Sequence, residues 1–365
     1  MSPVAAKPAK QSSMGPKDYG YSNARLRGMR SHLLRGAAIE QLIETPDLHA
    51  LIQALLQTGY APDIEEQLIR GHGIVEITDG LKHNLVRTYR KVFGFMNGEA
   101  KDICGTLLGR WDVFNIKTIL RGKHIGLDAG EIQEGLLPVG ALTQVDLDGL
   151  LLQGDIKGVV DIAGTWELPQ ATAMRQGFSE YQKTGELADF ELALDRYFSD
   201  WASKRLSKRN RNYAMARKIL GMQVDIANLV MVFRSARENL QPEQSAEYFL
   251  LGGQSIGLEF YQQLAGLSDV DEILDQLRAT HFGKVLDDAA LHYLETNSVA
   301  SFERALEDYY TRKVIAVGGT DPLGAGIPLS FLWSKENEVT NVRIIAKSKA
   351  IGIPAERTRR ELILV

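Results

Sequence analysis

The chain has 365 residues, 44% of them hydrophobic and 24% charged, with a formal net charge of −4. That is an ordinary globular composition, and the slight acidic excess argues against a general nucleic-acid binder, which carries surplus base. A single cysteine, Cys104, excludes an intrachain disulfide and fits a reducing compartment. No apolar run approaches the roughly 18 residues of a membrane span.

In chain order, residues 1–17 mix Pro, Ala, Ser and Lys without an apolar stretch, so they read as a flexible tail and not as a secretory signal. Beyond them, apolar residues recur at helical spacing. In "FELALDRYFSDWASKRL" (190–206), Phe190, Leu194, Tyr197, Phe198 and Trp201 share one helix face, and Phe302, Leu306, Tyr309 and Tyr310 do so in 299–317. "SAEYFLLGG" (245–253) ends on glycines, a helix stop, and "SDVDEILDQL" opens with cap residues ahead of acids. The glycine-rich "GGTDPLGAGIP" (318–328) lacks the ending of a phosphate loop and reads as a connection before a helix. Period-two alternation bounded by hairpin turns is absent, so the expected fold class is all-α.

The chain repeats itself. Asn115 sits in "DVFNIKTILR", Asn228 in "DIANLVMVFR" and Asn341 in "EVTNVRIIAK", each 113 residues after the last. An acid stands three residues before each Asn (Asp112, Asp225, Glu338) and a base six after it (Arg121, Arg234, Lys347). "FELALDRYF" at 190–198 matches "FERALEDYY" at 302–310, and Gly140 matches Gly253. Residues 45–60 resemble 267–282. We therefore expect three related helical units: 63–170, 171–285, and a third split between 286–365 and 18–62 that brings the termini together. Such closure gives a ring-like body with pseudo-threefold symmetry and no exposed solenoid ends.

An Asn inside a helix has poor propensity unless its amide finds a partner. The expected role is structural, with the amide bridging helices and the acid holding it; three equivalent ligand sites would need matching catalytic neighbours, and none repeat. The seven histidines show no metal spacing. Cys104 has apolar neighbours and no adjacent base, and the acidic pairs Glu65–Glu66 and Asp287–Asp288 fit solvated helix faces. The basic run "SKRLSKRNRNYAMARK" (203–218) admits three readings: a solvated connection, a contact for an acidic protein, or nucleic acid. No catalytic residue, cofactor or metal is expected.

"YSNARLRGMRSHLL" and "WDVFNIKTILRGKHIG" resemble signatures of the C subunit of archaeal and bacterial A/V-type ATP synthases, the counterpart of the d subunit of the vacuolar ATPase. The resemblance covers about residues 18–365. It departs in the N-terminal tail and in the third copy, where Glu338 and Lys347 replace Asp and Arg. It implies an all-helical, funnel-shaped, non-catalytic rotor subunit, peripheral to the cytoplasmic face of the membrane. One face seats on the proteolipid ring and the open face receives the D and F subunits of the central stalk; nucleic acid and small-molecule substrates are not expected partners. Torque then passes between ion transport and ATP synthesis or hydrolysis. Candidate stalk contacts are Arg25 and Arg27, with Arg121 and Arg234 either facing the stalk or pairing with Asp112, Asp225 or neighbouring acids. The connections 135–142 and 251–257 are candidates to face the ring. The rival reading is a helical-repeat binding scaffold unrelated to ATPases.

Overall fold

A computed structural model describes residues 18–365 apart from Ser268 and Asn297; the expected tail at 1–17 lies outside the described residues. Those residues form helices and loops, with no strand among them. In chain order the helices are α1 (Asp18–Arg30), α2 (Ala37–Ile43), α3 (Leu48–Leu55), α4 (Ala61–Leu68), α5 (Ile74–Phe95), α6 (Gly98–Leu108) and α7 (Arg110–His124). Then come α8 (Ala129–Glu134), α9 (Gln144–Leu151), α10 (Ile156–Thr165), α11 (Ala171–Thr184), α12 (Ala188–Arg205) and α13 (Arg211–Glu238). The last are α14 (Pro242–Ala246), α15 (Leu258–Ala265), α16 (Val270–Leu277), α17 (Gly283–Thr296), α18 (Ala300–Thr320), α19 (Gly326–Ala350) and α20 (Ala355–Arg360).

Local chemistry sets several starts. Asp47 and Asp155 each accept the backbone N–H three residues on, and Asp269 accepts the one two residues on, capping α3, α10 and α16. The buried side chains fall into two clusters. The larger joins α1–α12, the front of α13, the back of α18 and α19; the smaller, from Leu229 to Leu306, is built by the back of α13, α15–α17 and the front of α18. Helix α13 belongs to both, with Ile219 and Leu220 in one and Val232 and Phe233 in the other. It is the one described helix long and apolar enough by composition to cross a membrane, and over half of its most apolar window is packed inside the protein.

Two helix boundaries differ from the sequence expectation. "SAEYFLLGG" is not a helix running to its glycines: α14 stops at Ala246, and 247–257 is loop. The cause is a competing partner, because both backbone groups of Leu250 are taken by Asn228. The 318–328 connection is shorter than expected. Helix α18 runs through Gly318 and Gly319 to Thr320, and α19 begins at Gly326. Asp321 accepts Gly326 N–H and Asn212 accepts Ala325 N–H, so only 321–325 needs to turn.

Helix α19 lies deepest. From Ile327 to Trp333 every residue is buried, and the helix packs against α18, α5 and α1. Because α1, α2 and α3 also contact it, the first and last parts of the chain share one core.

Candidate functional site

The three asparagines make one repeated contact. Asn115 donates through Nδ2 to Leu137 O (2.8 Å) and accepts Leu137 N–H at Oδ1 (2.8 Å). Asn228 does the same with Leu250, at 2.9 Å for both bonds. Asn341 does so with Ile363, at 2.9 and 3.1 Å. Each partner lies 22 residues downstream, in the irregular segment after the next short helix (α8, α14 or α20). A loop residue folded under a helix has no ladder for its N–H and C=O, and the primary amide replaces both bonds at once. The amide thus ties its helix to a loop and not to another helix.

The acid three residues earlier holds the next stretch of the same loop. Asp112 accepts the N–H groups of Ala141 and Leu142, and Asp225 those of Gln254, Ser255 and Ile256. It does not hold the asparagine. The matching glycines follow from this: a Cβ on Gly140 or Gly253 would overlap the carboxylate of Asp112 or Asp225. None of the six Asn and acid side chains is more than 4% exposed. Burial raises the Asp112 carboxyl above its usual range, and the two backbone donors oppose that rise.

At the third position the loop is spliced from the two ends of the chain. Ile363 comes from the C-terminal segment, and Glu338 accepts Leu34 N–H (2.8 Å), 304 residues away. The register of the first loop carries across this junction. Lys123, eleven residues after Asp112, donates to Leu151 O, nine residues beyond Leu142. Lys349, eleven after Glu338, donates to Ile43 O, nine beyond Leu34. Glu338 has two further partners: the Tyr60 hydroxyl and Lys335 Nζ (2.7 Å), the latter also bonded to Tyr60 Oη at 2.9 Å. Burial lowers the Lys335 ammonium from its usual range, and Glu338 opposes the fall. Nothing local in the sequence announces this cluster, since Tyr60 is 278 residues from Glu338.

The bases after the first two asparagines form ion pairs with acids of neighbouring helices. Arg121 meets Glu191 and Arg234 meets Glu303 (2.8 Å), so neither pairs with Asp112 or Asp225. On α1, Arg25 donates to Tyr21 Oη (2.7 Å) and lies over the Phe95 ring, while Arg27 donates to Pro322 O (2.6 Å); both remain exposed.

The basic run 203–218 is mostly neutralised. Arg205 and Lys208 reach Asp102, Lys204 reaches Asp200, Arg211 lies 3.8 Å from Asp321, and Arg217 caps the carbonyls of Leu206 and Lys208. Cys104 is fully buried, and burial alone pushes its thiol far above the usual range. Glu65, Glu66, Asp287 and Asp288 lie on helix surfaces, Glu65, Glu66 and Asp288 exposed and Asp287 paired with Arg278. Among the described residues no group of three or more His, Cys, Asp or Glu side chains converges as a metal site.

The repeated chemistry therefore defines a helical scaffold whose buried polar groups hold its own loops. The sequence model of the family described as ATP synthase (C/AC39) subunit matches residues 22–361, and the chain belongs to that family. It is 30% identical to the C subunit of the V-type ATP synthase of Deinococcus radiodurans, over 95% of this chain and 92% of the relative. It is 27% identical to the C subunit of the A-type ATP synthase of Methanocaldococcus jannaschii (94% and 86%) and 30% identical to that of Methanothermobacter thermautotrophicus (91% and 84%). A scaffold unrelated to ATPases is thereby overturned.

Proposed function

We propose that this chain is a non-catalytic rotor subunit of an A/V-type ATPase, a socket that couples the D and F subunits of the central stalk to the proteolipid ring at the cytoplasmic face of the membrane. It transmits torque between ion transport and ATP synthesis or hydrolysis. The body consists of three related units, 63–170, 171–285 and 286–365 with 18–62, closed around a pseudo-threefold axis into a funnel. Arg25 and Arg27, exposed on α1, are candidates for the stalk.

The observation that supports this reading most is the third clamp. A part that carries torque must resist shear between its elements, and an open array yields first at its ends. Here the chain ends are joined through Glu338, Leu34, Lys349 and Ile43 in the register used inside the first continuous loop. The loop clamps are buried hydrogen bonds that cannot exchange with water without local opening.

The test is assembly of the ATPase with and without this chain. Omitting it should leave ATP hydrolysis by the head but abolish ATP-driven ion pumping, and adding the purified chain should restore pumping. A chain that binds neither stalk nor ring, or whose omission leaves pumping intact, would sink the proposal.

A further inference from the structure

Two junctions built from corresponding residues are filled differently. Gly109 on the approach to α7 corresponds to Met222 on α13, 113 residues on. Trp201 on α12 corresponds to Lys313 on α18 in the register that pairs Phe190 with Phe302. At the first junction the Trp201 ring occupies the space: a Cβ on Gly109 would lie 2.8 Å from it, and Arg205 sits over the same ring while pairing with Asp102. At the second junction there is no indole, and a groove of about 540 Å³ stays open between α13 and α18.

The groove has a regular shape. One wall is Arg211, Met215, Lys218 and Met222 of α13, and the other is Tyr309, Lys313 and Val317 of α18. Each set recurs every three or four residues, so each is a straight stripe along its helix; the first spans about 16 Å at about 1.5 Å per residue. Two such stripes on packed helices form a trough with the dimensions of about three turns of a third helix. Its floor is apolar, with Met215, Met222 and Val317 half-buried. Methionine suits a surface that must adapt to an incoming side chain.

The rim is basic. Lys218 and Lys313 form no ion pair among the described residues, although Lys313 lies over the Tyr309 ring. The lining acids are already engaged: Asp225 by three backbone N–H groups, and Asp321 by Gly326 N–H with Arg211 beside it. We infer that this groove docks an amphipathic helix of a partner protein, with apolar side chains on Met215, Met222 and Val317 and carboxylates toward Lys218 and Lys313. The inference stands on the groove alone and holds whether or not the chain couples a stalk to a ring.

The test uses the full chain with 13C-labelled methionine methyls. The probe is a synthetic amphipathic helical peptide of three to four turns, Leu on one face and Glu on its flanks, with a Lys-for-Glu version as control. The acidic peptide should shift the Met215 and Met222 methyls and leave the buried Met96 and Met174 unmoved. Salt should weaken it, and the control should bind about tenfold more weakly. The double variant Lys218→Glu, Lys313→Glu should reverse that preference. A second variant, Lys313→Trp, restores the side chain of the filled junction and should block binding with an unchanged melting curve. No binding near about 1 mM, equal affinity for both peptides, methyl shifts elsewhere, or stronger capture by anionic lipid vesicles than by the acidic peptide would each overturn the inference.

Discussion

The loop held by Asp112 and Asn115 and the loop held by Glu338 and Asn341 do the same work on different covalent terms. In the first, helix and loop are one continuous stretch, and an aspartate reaches the backbone donors beside Gly140. In the second, the helix meets two separate segments of chain. The acid is one methylene longer and is anchored by Lys335 and Tyr60 as well as by Leu34. Where chain continuity is missing, a buried ion pair supplies the positional constraint. Taking these charges out of water is costly, so the pair contributes position more than stability.

The largest expected effect tests that contrast at the seam. Lys335→Met leaves Glu338 charged and without its cation, and should cost about 3–5 kcal/mol in urea unfolding. Adding Glu338→Gln should recover much of the loss, because the amide oxygen still accepts Leu34 N–H while the charge is gone. If the double variant is as unstable as the single one, the ion pair is not the seam's constraint.

In the continuous loops, Gly253→Ala drives a methyl into the Asp225 carboxylate and frees three backbone donors. A loss of about 2–3 kcal/mol is expected, read from the same unfolding curves. An alanine accepted at no cost would show that the acid does not fix this loop.

Among the asparagines, Asn228→Ala orphans both backbone groups of Leu250 and should cost about 2 kcal/mol. Asn341→Ala should cost less, about 1 kcal/mol, because Ile363 O keeps the bond from Asn337. Hydrogen exchange at Leu250 and Ile363 would report the same order.

The smallest effect is pH-dependent. Burial pushes the Asp102 carboxyl up, but bonds from Tyr213, Arg205 and Lys208 outweigh it and hold it below the usual aspartate range. Its folded value therefore lies below its unfolded one. The contribution is fully present above the unfolded value, about 4, and is lost as pH falls through the depressed value. Asp102→Asn should flatten the acid limb of the stability curve and leave the slope above about pH 6 unchanged; because the Arg205 and Lys208 side chains are largely exposed, the change is small.

Much of this was legible in the sequence because it is local or periodic. Helical spacing marked α12 and α18, and the 113-residue recurrence of Asn115, Asn228 and Asn341 singled out the residues that make the clamps. The partners were not legible. Leu137, Leu250 and Ile363 contribute backbone groups, which carry no side-chain signature. Leu250 was also hidden within a run of helix-forming residues. Arg121 and Arg234 find acids 70 and 69 residues away, a distance no local pattern spans.

By itself, then, the sequence determined that the chain is helical, that it copies one motif three times, and that each motif places an acid and an amide on one face of a helix. Those properties depend on spacing along the backbone. Tertiary structure alone decided that Glu338 meets Leu34 and Tyr60, that Trp201 fills one junction, and that Lys313 leaves the other open. These outcomes depend on which surfaces are left together once the apolar faces are buried, and that is a property of the packed whole.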